Sequence, residues 1–583
     1  MCGITGIAGT GGSSELVERM TRQLVHRGPD GLGNWEAPGV RFGHTRLAIL
    51  DLSDAGRQPM THGPFTITYN GEIYNHLELR SSLPGPFHSH CDTETLLHLY
   101  ARDRDDCVRS LQGMFAFAVW DAEARRLFAA RDRLGIKPLY YRPLPGGLAF
   151  ASEIRSLLQI DRPAIDPTSL RDFFTYKYVP APKTIYQGIY QLAPGHTLVW
   201  DADRGLRVSR YWCPSTDVVI HDADDAGAKL DALLRQIVPE HTLADVPVGV
   251  FLSGGIDSTT VTAFLDRPRT FTLGMDIERR DEAPIARRVA EHFGTVHFEE
   301  TAAAGDLQEA VDTVAAVWDE PFGDSSSWAT YQVSRLARRH VTVALSGDGG
   351  DELFCGYQWY SKWLLNRSTP VSRLLSAVVP AFSAAARSLT RRAATGLERY
   401  AAFLSPFTPQ QRALLLTPDL TGGDYDDHWH FREHWREDLE PLKRMQWADL
   451  HTYLPGDLLL KVDRASMAHS LEVRPPLLDH RLVEFALSLD SRLLRDVEGG
   501  KGKLVLRRLI GPRVPAGLFD RRKRGFNLPI RNWVRQHRGM LASAVARLAR
   551  AGIIRQRPTV GFSHEQIWML LVLDRWLVRS GAR

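Results

Sequence analysis

At 583 residues the chain is too long for one hydrophobic core, so two or more domains are expected. A net charge of +4 is small for that length and gives no reason to invoke nucleic acid or anionic lipid as a partner. The cysteines (Cys2, Cys91, Cys107, Cys213, Cys355) are scattered and form no CxxC pair, so they indicate neither a disulfide framework nor a zinc site. There is no charged-then-apolar leader and no run of about 18 apolar residues. The expected class is a cytoplasmic enzyme with reduced thiols and no membrane contact.

Cys2 stands directly behind Met1. Removal of Met1 leaves one residue carrying a thiol and a free α-amine. A free thiol titrates near ~8.5 and needs a base. An α-amine, near ~7.7–8.0, accepts that proton at neutral pH. This is the N-terminal nucleophile pairing, with a small buried residue as the plain alternative. From there to about Trp200, short apolar runs such as 65–69, 114–120 and 127–130 read as strands, with a helix over 92–102. Tyr69-Asn70-Gly71-Glu72 sets an amide beside a flexible N–H, which suits an oxyanion hole. The same Asn-Gly pair also suits a type I′ hairpin turn. Glu72 and Asp92 suit an α-ammonium, and Arg46 an α-carboxylate.

A polar, aperiodic connector follows over 206–225, separating a first domain at 2–205 from a second at 226–583. The second alternates helices (226–238, 257–265, 282–292, 307–318, 327–339) with strands (248–252, 270–273, 296–299, 341–345). That rhythm predicts βαβ units and a doubly wound parallel sheet. Ligands in such sheets sit at the carboxyl ends of strands. Ser253-Gly254-Gly255-Ile256-Asp257-Ser258 falls there, with glycines and hydroxyls suited to phosphate, though a Gly-rich turn has the same composition. It is neither a Walker loop nor a Rossmann fingerprint.

Ser346-Gly347-Asp348-Gly349-Gly350-Asp351-Glu352 follows another strand. Carboxylates there repel polyphosphate unless a cation intervenes, and Mg²⁺ held by Asp257 and Asp351 suits that role. An acidic surface turn is the alternative. From about 358 the chain reads as mostly helical, and 460–469 with Glu472-Val473-Arg474 reads as one helical run of mixed charge. Lys461 within it suits charge developing during acyl transfer. The basic cluster Arg521–Arg524 reads as a solvated face or a substrate-side lid.

With these motifs assembled, residues 2–535 resemble the glutamine-hydrolysing asparagine synthetase family, bacterial B type. Cys2-Gly3-Ile4, His26-Arg27-Gly28-Pro29-Asp30, His44-Thr45-Arg46-Leu47-Ala48-Ile49 and Tyr69-Asn70-Gly71-Glu72 look like its glutaminase signature. Arg131 to Tyr140, Ser253 to Ser258, Asp319-Glu320-Pro321-Phe322, Leu345 to Glu352 and Lys461-Val462-Asp463-Arg464 are similar to its remaining motifs. The resemblance implies an α+β N-terminal-nucleophile domain of stacked antiparallel sheets. An α/β pyrophosphatase-type domain with a helical C-terminal part follows.

It further implies that Cys2 attacks the glutamine amide and that Asn70 and Gly71 hold the oxyanion. Arg46, Leu47, Ala48, Ile49, Leu50, Glu72 and Asp92 would bind glutamine. ATP would meet Leu252, Ser253, Gly254, Gly255, Asp257, Ser258, Leu273, Ser346 and Gly347, with Mg²⁺ at Asp257 and Asp351. Asp348 and Lys461 would serve adenylate formation and amide release, and a homodimer is implied. Asp348 (Glu in some members), Cys355, Trp328 and the Arg474-Pro475-Pro476 run depart from the family pattern near the acyl-acceptor side. Aspartate is therefore the expected acid, and another carboxylic acid the alternative.

Overall fold

A computed structural model describes residues 2–275, 281–302, 307–366, 368–383, 385–519, 533, 538–556 and 561–581. The first part is a sandwich of two antiparallel six-stranded sheets. Gly3–Gly9 lies inside one sheet, between Val40–Arg46 and Gly147–Ala151. Phe65–Ile73 lies in the other, between Met60–His62 and Gly113–Asp121. Ile4, Phe42 and Phe150 from the first sheet meet Ala116, Ala118 and Trp120 from the second in a common core. That packing sets the start of Gly3–Gly9, and with it Cys2, beside the middle of Phe65–Ile73.

Two expectations change here. Asn70 and Gly71 are not a turn: both pair within a continuous ladder, opposite Ala116 and Phe115. A side chain at Gly71 would collide with the Met114 carbonyl and crowd Tyr69, so glycine there reflects close strand approach. The 205/206 boundary falls inside strand Gly205–Arg210, which completes the second sheet against His196–Asp201. The expected connector also contains the first turn of helix Ala223–Glu240.

The second part holds a five-stranded parallel sheet, in the order Val296–Ala302, Arg269–Met275, Val248–Phe251, Val343–Leu345, Glu472–Arg474. Strand order reverses between Val248–Phe251 and Val343–Leu345, which makes the crevice beyond their carboxyl ends the ligand position. Glu472–Arg474, expected to be helical, is instead the edge strand beside Val343–Leu345. Its period of two puts the Glu472 and Arg474 side chains on one face, where they pair at 2.6 Å. Helix Leu460–Met467 ends before it and follows a π-helical turn over Leu454–Leu459. Among the described residues, no helix is long and apolar enough to cross a membrane. Arg521–Arg524 lies outside the described residues.

Candidate active sites

Around Cys2, the backbone N–H donates to Asn70 Oδ1 at 2.9 Å, and Sγ lies 3.9 Å from the Leu47 carbonyl oxygen. Asn70 is fully buried, and among the described residues its Nδ2 has no hydrogen-bond partner. With its Oδ1 held by the Cys2 N–H, the amide leaves a buried Nδ2 donor open, which is costly unless something arrives to accept from it. An oxyanion formed at Sγ is such an acceptor. Replacing Asn70 with alanine is expected to cut glutamine turnover by about 10²–10³ in kcat with a smaller change in KM, read by steady-state glutamate release.

Burial pushes the Cys2 thiol above its ordinary value, and Glu472 adds to the effect. Nucleophilic attack therefore needs a proton acceptor. His44 is a poor one, because burial lowers it to about 3 and its Nε2 faces the Tyr69 carbonyl at 3.3 Å. The α-amine that Met1 removal would expose on Cys2 is the better placed base.

Glu72 and Asp92 come together as expected, with a third carboxylate, Glu472, added from the other half of the chain. Arg474 meets Glu72 at 2.8 Å and Glu472 at 2.6 Å. Burial works against the Glu472 carboxylate, but positive charge around it, Arg474 and Lys137 included, holds it below its ordinary value. Burial raises Glu72 well above the usual carboxylate range, with Asp92 and Glu472 adding repulsion, and it raises Asp92 to about 6. Asp92 Oδ2 accepts from Tyr69 Oη at 2.6 Å and from the Ile73 N–H at 3.0 Å. An incoming α-ammonium would supply positive charge to this carboxylate-rich corner. Arg46 donates to the Ser53 carbonyl at 2.8 Å and to that of Asp51, bracing the loop after Leu47, Ala48, Ile49 and Leu50. The Ala48 N–H is held by Asp30 at 2.8 Å, and the Ile49 carbonyl accepts from Asp245 N–H at 2.8 Å.

In the second half, both glycine-rich loops flank the sheet's switch point and touch. A Cβ on Gly347 would lie 2.7 Å from the Ser258 nitrogen, and one on Gly350 would strike the Asp257 carboxylate. Gly254 has φ +71 and faces the Ala286 backbone, so only glycine turns comfortably there. Ser253 Oγ and Ser258 Oγ stand 3.1 Å apart at the start of helix Ile256–Ala263. Leu252, just past strand Val248–Phe251, and Leu273, on the adjacent strand, have buried side chains, and the Leu252 N–H is bonded to the Phe271 carbonyl.

Asp257 and Asp351 converge on one cation. Lys503 Nζ lies 2.5 Å from Asp257 Oδ2 and 2.7 Å from Asp351 Oδ1. The two carboxylates therefore define a position that accepts positive charge, and hard oxygen donors of this kind fit Mg²⁺. Ser346 Oγ donates to Asp348 Oδ2 at 2.7 Å. Lys461 Nζ reaches Asp324 at 3.0 Å and Ser326 at 2.9 Å. Burial opposes its charge, but Asp324 outweighs burial and holds the ammonium above the ordinary lysine range.

The two sites share a wire that sequence reading missed. Arg27, fully buried, donates Nε to the Cys2 carbonyl at 3.1 Å. Its two terminal nitrogens grip Asp463 at 2.9 and 3.0 Å, and Nη1 also meets Glu153 at 2.8 Å. Asp463 stands two residues after Lys461 on helix Leu460–Met467. One helix thus reaches the Cys2 backbone through Asp463 and Arg27, and Asp324 through Lys461. Arg464 adds a contact to Glu153 at 2.7 Å. A small cavity lined by Ile136, Lys137, Ser346, Asp348, Asp463 and Val473 lies between the halves.

Asp463→Asn is expected to cost about 3 kcal/mol of stability, measured by denaturant unfolding, because it takes one of two carboxylate charges, Asp463 and Glu153, from a buried guanidinium. Burial works against the Asp463 carboxylate, but Arg27 pulls it below its ordinary value. The pair's stabilisation is therefore complete above the unfolded value of ~3.9 and disappears as pH falls through the depressed folded value. Wild type should lose stability on acidification more steeply than the variant.

A cysteine–amide site in an antiparallel sandwich, joined to a parallel nucleotide-type sheet, is the build of a glutamine amidotransferase fused to an ATP-dependent ligase. Residues 1–212 match the glutamine amidotransferase domain family, and residues 229–576 match the asparagine synthase family. The chain belongs to the asparagine synthase family. It is 33% identical over 565 residues to asparagine synthetase (glutamine-hydrolyzing) 1 of Bacillus subtilis, covering 92% of this chain and 88% of that protein. An asparagine synthetase relative from Mycobacterium bovis is 36% identical over 585 residues, with coverage of 92% and 88%. Amidase chyE of Penicillium rubens is 28% identical over 617 residues, with coverage of 91% and 89%.

Proposed function

We propose that the chain is a glutamine-dependent asparagine synthetase. The observation that carries this reading is the Arg27–Asp463 link, which ties the Cys2 backbone to the helix bearing Lys461. Cys2 Sγ attacks the glutamine side-chain carbonyl, and the Asn70 amide and the Gly71 N–H hold the resulting oxyanion. The C–N bond breaks, ammonia leaves, and water then cleaves the thioester to glutamate. Glu72 and Asp92 hold the substrate α-ammonium, and Arg46 with the loop Leu47, Ala48, Ile49 and Leu50 shapes its other end.

In the second site, an aspartate side-chain oxygen attacks the α-phosphorus of ATP and pyrophosphate leaves. The loops at Ser253, Gly254, Gly255, Ser258, Ser346 and Gly347 cradle the phosphates, with Leu252 and Leu273 beside the nucleoside. Asp257 and Asp351 would hold Mg²⁺, which supplies charge neutralisation for the departing pyrophosphate; Lys503 would then shift from their shared position. Lys461 steadies charge on the acyl-adenylate, and Asp348 faces the reacting acyl group. Ammonia attacks the acyl carbon, expelling AMP. Free ammonia is mostly protonated near neutral pH, so passage between the halves rather than through solvent keeps it nucleophilic.

Five free thiols fit a reducing compartment such as the cytoplasm, and the family reading carries a homodimer with it. Omitting glutamine, ATP or aspartate one at a time tests the scheme. Asparagine should form only when all three are present, and its formation without ATP would contradict the reading.

A second reading keeps the chemistry and changes the acid. Asp348 is tied to Ser346 by a short carboxylate arm, and Cys355 sits at φ +51, a conformation that favours glycine. Asp348 lies near Lys461, and the similarity to an amidase points the same way. ATP-dependent pyrophosphate release with a panel of acids, aspartate absent, distinguishes the two.

A further inference from the structure

Remote in sequence from both sites, the segment His428-Trp429-His430-Phe431-Arg432-Glu433-His434 carries three histidines and a glutamate. His430, Glu433 and His434 each offer one ligand atom, and these atoms lie within 4.8 Å of one another. His430 lies in the short helix Trp429–Glu433, and His434, four residues on, is its C-cap. Their rings are 5.2 Å apart and perpendicular.

A second observation points to a ligand. His430 is only 5% exposed, and among the described residues its Nδ1 is buried with no hydrogen-bond partner. An unpartnered buried imidazole nitrogen is costly unless a Lewis acid or donor arrives. His434 stacks at 5.2 Å on His451, whose Nδ1 lies 2.8 Å from the Trp447 carbonyl and is fixed as its donor. His430, His434 and His451 thus form one contiguous run of imidazole rings. Neutral imidazole is the ligating form. Arg210 lies close enough to oppose positive charge at His434 and His451.

We propose that His430, Glu433 and His434 form a binding site for a divalent transition cation of the Zn²⁺ class, with water completing the shell. Bonds of ~2.0–2.1 Å to a tetrahedral ion place ligand atoms roughly 3.4 Å apart, so the site must contract by up to about 1.4 Å. The exposed Glu433 is free to make that adjustment. The set of two imidazoles and one carboxylate suits Zn²⁺ or Co²⁺ rather than Mg²⁺. No residue of the set belongs to the Cys2 or Lys461 sites.

The test uses the untagged full chain, stripped with chelator and titrated with Co²⁺ and then Zn²⁺ in the absence of nucleotide. One equivalent of Co²⁺ should give a tetrahedral visible absorption band that Zn²⁺ bleaches. His434→Ala should abolish the band. Glu433→Gln, at an exposed position where folding is not at stake, should weaken binding while asparagine formation stays unchanged. Absence of the band in wild type, or a band of equal strength in both variants, would overturn the proposal.

Discussion

Cys2→Ala is expected to abolish amide formation from glutamine, by a factor of 10³ or more, while leaving formation from ammonium salts near wild type. The size follows from covalent catalysis: no other described group is placed to form the acyl bond. Asn70 Nδ2 and the Gly71 N–H lie in a strand that Cys2 only touches, so the pocket survives loss of the sulfur. Ammonium-driven synthesis survives because Lys461, Asp324 and the glycine loops stand on the other half of the chain, and alanine keeps the carbonyl that Arg27 grips. Parallel assays with the two nitrogen sources read the result. Equal losses with both would mean that the halves do not divide the work as described.

Lys461→Met should give the complementary pattern. Synthesis is expected to fall about 10²–10³ with either nitrogen source, the scale set by removing one preorganised charged donor from a transition state. Lys461 is buried against Asp324, and a π-turn aims the start of its helix. π-turns of this kind recur at functional sites. Glutamine hydrolysis measured without ATP should persist, because Asp463 on the same helix still holds Arg27. If hydrolysis falls in step with synthesis, the helix transmits damage in both directions and Lys461 is not confined to the second site.

Much of this was legible in the sequence, for physical reasons. The two central strands of the parallel sheet lie in apolar runs that end at a serine, so Val248–Phe251 and Val343–Leu345 announced themselves and their loops. Glu472–Arg474 did not, since three residues carry too little periodicity to separate strand from helix. Asn70-Gly71 has the composition of a turn, and only the neighbouring strand at Met114 reveals that the glycine serves close approach.

Pairing was the least visible property. Arg27 and Asp463 are 436 positions apart, and each sits in a recognisable motif without any sign that the two meet. Lys503 stands between a glycine and an apolar run, and nothing local says that it bridges Asp257 and Asp351. Buried ion pairs are fixed by tertiary packing, which is why they appear only once the chain is folded.

The passage of nitrogen from one half to the other is tested most directly by isotope competition. Glutamine carrying a heavy amide nitrogen is supplied with ATP, aspartate and a large excess of unlabelled ammonium. Product amide enriched in the heavy isotope well beyond the bulk ammonia pool is the result expected of a linked pair of sites. Product whose label matches the bulk pool would mean that nitrogen escapes to solvent before it is used.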